Sequence, residues 1–209
     1  MLLTHQLMPQ AVSDKNEQEL LLHFYGKGEE IYLFEPGCCQ VYRGVIQLSR
    51  INQKGQEIIL GWATINSCFG NWLDNYPTYK AQTLSDVYAR WFSSRAIENS
   101  PSLAQMLLAQ LSLRLIRAEQ LLTVTGLRRV EDRLWQLLLL LAEEMGQPTV
   151  EGTRLLVRFT HQNLANVICT TRVTITRLLG DFQSRGLIAF DNNRHLIIKK
   201  LGVKRANSF

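Results

Sequence analysis

Thr160-His-Gln-Asn-Leu-Ala-Asn-Val-Ile-Cys-Thr-Thr-Arg-Val-Thr-Ile-Thr-Arg-Leu-Leu-Gly-Asp-Phe182 is the stretch that decides how this chain is read. Thr160 is suited to cap a short helix that turns Leu164, Val167 and Ile168 inward, with Ala165 small enough to let a second helix approach. After a short turn, the second helix starts near Thr170 or Thr171. It carries Ile175, Leu178, Leu179 and Phe182 at the spacing of one buried helical face. Arg172, Val173, Thr176 and Arg177 are thereby left together on the opposite face. Such a face matches the major groove of duplex DNA: arginine forks onto guanine, valine meets a thymine methyl, and threonine hydroxyls reach phosphates or base edges. Downstream, Leu187–Phe190, the polar turn Asp191-Asn192-Asn193 and His195–Ile198 predict a β-hairpin, which behind such a helix pair is a wing.

The charge distribution agrees. From Val150 to Phe209 there are ten Lys/Arg and three acids, a net +7, and the chain total of +5 leaves −2 for the first 149 residues. A mildly acidic body with a basic C-terminal segment implies that a polyanion meets the C-terminal part. No apolar run is long enough to span a bilayer, since Leu134 to Ala142 is interrupted by Gln136 and followed by Glu143 and Glu144. With no basic-then-apolar leader at the N-terminus, the expectation is a cytoplasmic protein without membrane contact. Cys38, Cys39, Cys68 and Cys169 have no C-x-x-C spacing and are expected to be reduced, buried small hydrophobes.

Upstream, residues 23–98 alternate β-rich runs (Ile31–Phe34, Val41–Leu48, Glu57–Leu60, Val87–Phe92) with turns at Pro36-Gly37, Arg43-Gly44, Gln53-Lys54-Gly55 and Asn75-Tyr76-Pro77. Short strands at this spacing imply a small antiparallel barrel or sandwich. Ser100-Pro101 then places a cap and a first-turn proline at the start of a long helix. Along it Ala104, Leu108, Leu111, Leu115, Ala118, Leu122 and Thr125 repeat every 3.5 residues on average, as in a two-helix seam. Leu103, Met106, Leu107 and Leu121 give the same helix a second apolar face. Another helix is predicted through Leu134–Met145, with a turn at Gly146–Pro148.

The string Thr171–Asp181, with Arg185-Gly-Leu-Ile ahead of the wing, resembles the C-terminal domain of the Crp/Fnr family, and within it the cyanobacterial nitrogen-regulator branch. Phe24–Tyr32, Val41–Arg50, Cys68-Phe-Gly70, Leu111-Ser-Leu-Arg114 and Val130–Leu134 extend the resemblance over most of the chain. The resemblance implies an α+β architecture. An N-terminal antiparallel β-barrel, a jelly roll of the cyclic-nucleotide-binding type, would occupy 1–99, a dimerisation helix 100–126 and a winged helix-turn-helix 127–209. The partners it implies are double-stranded DNA carrying GTA-type inverted repeats, a second copy of the chain, and RNA polymerase. The DNA-contacting set is Arg172, Val173, Thr176, Arg177, Thr160, His161, Thr171, Thr174 and Arg194. At the turn between the two helices the family usually has glycine where this chain has Cys169. If the position requires a positive φ, a non-glycine residue costs about 1 kcal/mol.

For a small-molecule effector the resemblance points to Phe69, Gly70, Asn71 and Trp72 in the barrel and Arg114 and Glu119 on the helix. Cyclic AMP is disfavoured: Phe69-Gly70 is followed by Asn71-Trp72 rather than glutamate, and Tyr76 to Thr83 holds no arginine for the phosphate. The candidate effector is 2-oxoglutarate, with Arg114 as its clamp and Lys80 nearby. Arg114 and Glu119 equally suit ordinary surface pairing. An enzyme is not expected. A metal-dependent barrel enzyme needs several converging histidines and the β-rich region 23–98 has only His23, and no phosphate-binding glycine loop or nucleophile elbow occurs. The alternative is an effector-sensing adaptor whose winged domain binds protein. Duplex affinity that weakens steeply with salt separates the two readings.

Overall fold

The computed structural model describes residues 21–33, 35–71 and 80–199. Gly44 governs how the first half is laid down. The β-rich run Val41–Leu48 is divided at the predicted Arg43-Gly44 turn between β3 (Gly37–Arg43) and β4 (Ile46–Ile51), which lie in different sheets. Gly44 has φ +98, and a Cβ there would sit 2.3 Å from the carbonyl oxygen of Asp86, so only glycine makes this crossing.

One sheet has the order β1-β8-β3-β6, where β1 is His23–Tyr25, β6 Cys68–Asn71 and β8 Val87–Ser93. The other has the order β2-β7-β4-β5, where β2 is Glu30–Ile31, β5 Glu57–Ala63 and β7 Lys80–Thr83. All pairs are antiparallel. The expected closed barrel is corrected here. Crossings such as the one at Gly44 send the chain from sheet to sheet, and among the described residues no ladder joins the two, so the unit is a two-layer jelly-roll sandwich. Val41, Ile46, Leu48, Phe69, Ala81 and Val87 fill the space between the layers. The predicted turn at Gln53–Gly55 is the β4–β5 hairpin, held by the Asn52 side chain, which accepts from the backbone N–H of Lys54 and Gln56. The turn expected at Asn75–Pro77 lies outside the described residues. Of the strand expected over Ile31–Phe34, Ile31 lies in β2, Tyr32 and Leu33 lie in no strand, and Phe34 is outside the described residues.

A short helix α1 (Ser94–Glu98) leads to α2 (Pro101–Gly126), a 26-residue helix whose start is as expected, with the Ser100 hydroxyl accepting from Leu103 N. On α2, Leu107, Leu121 and Val124 are buried against the rest of the chain, while Leu108, Leu115 and Leu122 are 65%, 62% and 70% exposed. Helix α3 begins at Val130, a turn earlier than expected, because Glu131 and Asp132 favour the positive end of the helix dipole, and it runs to Met145. The remainder is β9 (Gly146–Pro148), β10 (Gly152–Leu155), α4 (His161–Val167), α5 (Arg172–Ser184), β11 (Ile188–Phe190) and β12 (Leu196–Lys199), with sheet order β11-β12-β10-β9.

The C-terminal core is built from α3 leucines, α4, α5 and the hairpin, with Trp135 edge-on to Phe182 at 5.5 Å. That core is not confined to the C-terminal elements. Val45, Ile59 and Trp62 from the outer face of the β4–β5 layer belong to it, and Trp62 meets Phe159 edge-on, ring centres 5.7 Å apart. Helix α4 is thus seated on β5 rather than carried on a free lobe. No helix among the described residues is long and apolar enough to cross a membrane.

Candidate nucleic-acid interface

Helix α4 is fixed at both ends by short-range chemistry. Thr160 Oγ1 accepts from Asn163 N at 3.0 Å, and Asn163 Oδ1 accepts from Thr160 N at 3.2 Å, a reciprocal capping box. At the other end Thr170 N donates to Ala165 O at 3.0 Å, closing a Schellman-type turn around Cys169, which has φ +53. The positive φ anticipated for Cys169 is therefore present. Its expected burial is corrected, because a turn residue in this conformation points to solvent and Cys169 is exposed, whereas Cys38, Cys39 and Cys68 are buried. Thr171 caps α5 by accepting from Thr174 N at 3.2 Å.

Helix α5 buries Ile175, Leu178, Leu179 and Phe182. Arg172, Val173, Thr176 and Arg177 are all exposed, Val173 at 78%, an isolated aliphatic side chain held out to solvent. His161 Nδ1 lies 2.7 Å from Thr176 Oγ1, and the Thr176 hydroxyl donates to Arg172 O at 3.0 Å, so α4 and α5 are linked along this edge. Arg185, just past α5, donates to Glu131 at 2.6 Å and to Asp181 at 2.8 Å, anchoring α5 to α3.

The wing is locked by a group that sequence reading did not find. Arg154 Nε on β10 donates to Asp191 Oδ2 at 2.6 Å, and Asp191 Oδ1 accepts from His195 N at 2.7 Å. The Arg154 bond, with help from His195, pulls the Asp191 carboxyl down to about 2. His195 is lowered by burial and by Arg154, so its neutral Nδ1 accepts from Arg154 Nη2 at 2.7 Å. This holds the turn in which Arg194 is exposed at φ +61, and Arg194 and His161 line the same cleft. The nine DNA-facing residues inferred from sequence thus lie on α4, α5 and the wing turn or at their caps. Arg154 had no local signature, because its partners lie across a sheet.

The effector candidates do not gather in the same way. Phe69 is fully buried between the sheets, and Gly70 packs so closely on β3 that a Cβ would lie 2.1 Å from Gly37 O. Asn71 ends β6, and Trp72 lies outside the described residues. On α2, Glu119 is exposed, whereas Arg114 is partly buried and close enough to act on the Cys38 thiol. Cys38, Cys68 and Leu107, flanked by Ile97, Leu103 and Met106, fill the contact between α2 and the sheet. A second polar group missed by sequence reading joins three elements. Arg117 on α2 donates to Ser67 Oγ at 3.0 Å in the β5–β6 turn, and it lies 3.9 Å from Glu144 on α3. Burial pushes Glu144 up to about 7, outweighing the attraction of Arg117.

A two-layer jelly roll, a long helix and a helix-turn-helix with a wing define a class of DNA-binding transcription regulators. Residues 132–202 match the model of the Crp-like helix-turn-helix domain. The regulatory protein CysR of Synechococcus elongatus is 34% identical over 163 residues, covering 77% of this chain and 75% of that one. The global nitrogen regulator of the same organism is 28% identical over 198 residues, 89% of both chains. Among solved structures, a CRP-family transcriptional regulator from Thermus thermophilus superposes with TM-score 0.75 at 19% identity, over 89% of this chain and 96% of that one. FixK2 from Bradyrhizobium japonicum gives 0.73 at 18% identity, over 90% and 96%. The chain belongs to the Crp/Fnr family and is a DNA-binding transcription regulator.

Proposed function

We propose that the regulator works as a dimer joined along α2 and reads an inverted repeat with one α5 in the major groove of each half-site. The observation that carries this reading is the exposed quartet Arg172, Val173, Thr176 and Arg177, fixed in place by α4, the Arg185 anchor and the locked wing. Thr160, Thr171, Thr174, His161 and Arg194 border it and are assigned to phosphates. A valine held out to solvent beside two arginines suits a thymine methyl next to guanine, which supports GTA-type half-sites. The seam is supported by Leu108, Leu115 and Leu122, which lie seven residues apart and stay exposed on a helix whose other apolar face is buried.

Selection of duplexes from a random library by the full chain tests the reading. An inverted repeat with half-sites about one helical turn apart is expected. Arg177→Ala should relax selectivity at one guanine at a cost of about 1–3 kcal/mol per half-site, whereas Arg194→Ala should weaken all duplexes alike and flatten the salt slope. Loss of specific and random binding in equal measure on Arg177→Ala would make Arg177 a phosphate contact and move the register of α5.

A further inference from the structure

The contact between α4 and α5 fixes how one side chain presents its ring nitrogens. His161 offers two ring nitrogens. Nδ1 is 2.7 Å from Thr176 Oγ1, and the single proton on that hydroxyl is directed to Arg172 O at 3.0 Å, the usual back-bond of a helical threonine. What Thr176 presents to the ring is therefore a lone pair, and the ring proton sits on Nδ1. Nε2 of the neutral ring, on the far side, is then an acceptor. His161 lines a cleft with Arg194 and with apolar side chains such as Phe159, Leu179 and Phe190. An acceptor facing a phosphate oxygen is repulsive, whereas the protonated ring offers an N–H and a positive charge at the same place.

Resting on the DNA-contact reading above, we infer that His161 takes up a proton when the helix-turn-helix engages duplex DNA, so that operator affinity falls as pH rises. The hydrogen bond to Thr176 fixes the tautomer, and the phosphate then selects the charged ring. The groups around His161 do not supply this effect themselves. On α4 no other side chain titrates; on α5 its partner Thr176 is uncharged and the arginines on the same exposed face, Arg172 and Arg177, stay cationic throughout, as does Arg194, with which it lines a cleft. His195 is engaged by Arg154 and Asp191 on the far side of the wing turn. A histidine so placed connects DNA binding to intracellular pH, because histidine changes charge between about pH 5 and 8.

The experiment measures affinity by fluorescence anisotropy from pH 6 to 8.5 at constant salt, using a duplex selected by the full chain. His161→Asn keeps an N–H for Thr176 but has no ionisable group, and His161→Arg carries a permanent charge. The unmodified chain should weaken by up to about tenfold per pH unit for each half-site, the limit for one proton bound per site. His161→Asn should bind weakly with a flat profile, and His161→Arg should be flat and tight at pH 8. Calorimetry in buffers of different ionisation enthalpy should register proton uptake by the unmodified chain and none by His161→Asn. Duplex binding that is independent of pH in the unmodified chain, or equally steep in His161→Asn, overturns the inference while leaving the DNA-contact reading intact. Failure to bind any duplex at any pH or salt removes both.

Discussion

Cys169 occupies the position after α4 where the backbone turns left-handed, with φ +53, and its side chain is exposed. An L-residue held there carries roughly 1–2 kcal/mol of strain, because Cβ crowds the following carbonyl. Glycine removes that strain, but it gives the unfolded chain extra freedom, which offsets about 0.4–1 kcal/mol of the gain. Cys169→Gly should therefore stabilise the protein by about 0.5–1 kcal/mol, or a few degrees at most in Tm for a chain of this size. Two companions separate backbone from thiol. Cys169→Ala keeps Cβ and should stay within about 0.5 kcal/mol of the parent, since little contact is lost at an exposed site. Cys169→Val adds a branched Cβ to a left-handed residue and should destabilise by about a further 1 kcal/mol. The assay is urea unfolding followed by circular dichroism under reducing conditions, with an unchanged m-value as the sign that only stability has moved. If alanine stabilises as much as glycine, the thiol rather than the backbone is responsible and the strain argument fails.

Trp62→Ala should cost about 3–5 kcal/mol and split the urea transition into separate sandwich and C-terminal steps, since Trp62 is the largest sandwich side chain in the shared core; a single transition at the original midpoint would show that the docking is energetically idle. Leu115→Asp should abolish dimer formation in sedimentation velocity, and a variant that sediments as an unchanged dimer would remove α2 from the interface. Glu144 has its folded-state pKa raised from 4.5 to about 7, so its contribution to stability is fully present below about pH 4.5 and is lost as pH rises through 7. Glu144→Gln should accordingly gain on the parent between pH 5 and 8, by roughly 2–3 kcal/mol at the upper end, in urea titrations at each pH; parallel stability curves for the two proteins would refute the assignment.

What could be read from the sequence is what short-range chemistry decides. Ser100 with Pro101, Thr160 and Thr171 announce helix starts because a cap needs only residues within a turn of it, and the four buried residues of α5 declare their face by spacing alone. The strands were harder. The turn at Arg43-Gly44 inside Val41–Leu48 was legible, but that it carries the chain from one sheet to the other was not, because the carbonyl of Asp86, a residue distant in sequence, presses against Gly44. Arg154 with Asp191, Trp62 with Phe159, and Arg117 with Ser67 and Glu144 are each assembled by topology from separate elements, so no local pattern announces them. The effector residues were placed by resemblance alone, and the fold sends Phe69 inward and Glu119 outward.

The strand orders β1-β8-β3-β6 and β2-β7-β4-β5 set a timetable for synthesis. In each sheet a late strand, β8 or β7, is inserted between two early ones, so neither layer can close while the chain has emerged only as far as the β4–β5 hairpin. During translation β1 and β2, and the edges of β3 and β4 that receive β8 and β7, have no partner until those late strands clear the ribosome, the interval in which such edges are open to other chains. The C-terminal unit is dominated by helices joined by short turns and condenses quickly once it has emerged. Because Trp62 belongs to the same core as α4, the helix-turn-helix finds its seat only after the sandwich is complete. Substitutions at the Gly44 crossing should therefore appear first as chains lost to aggregation during synthesis rather than as weakened DNA binding.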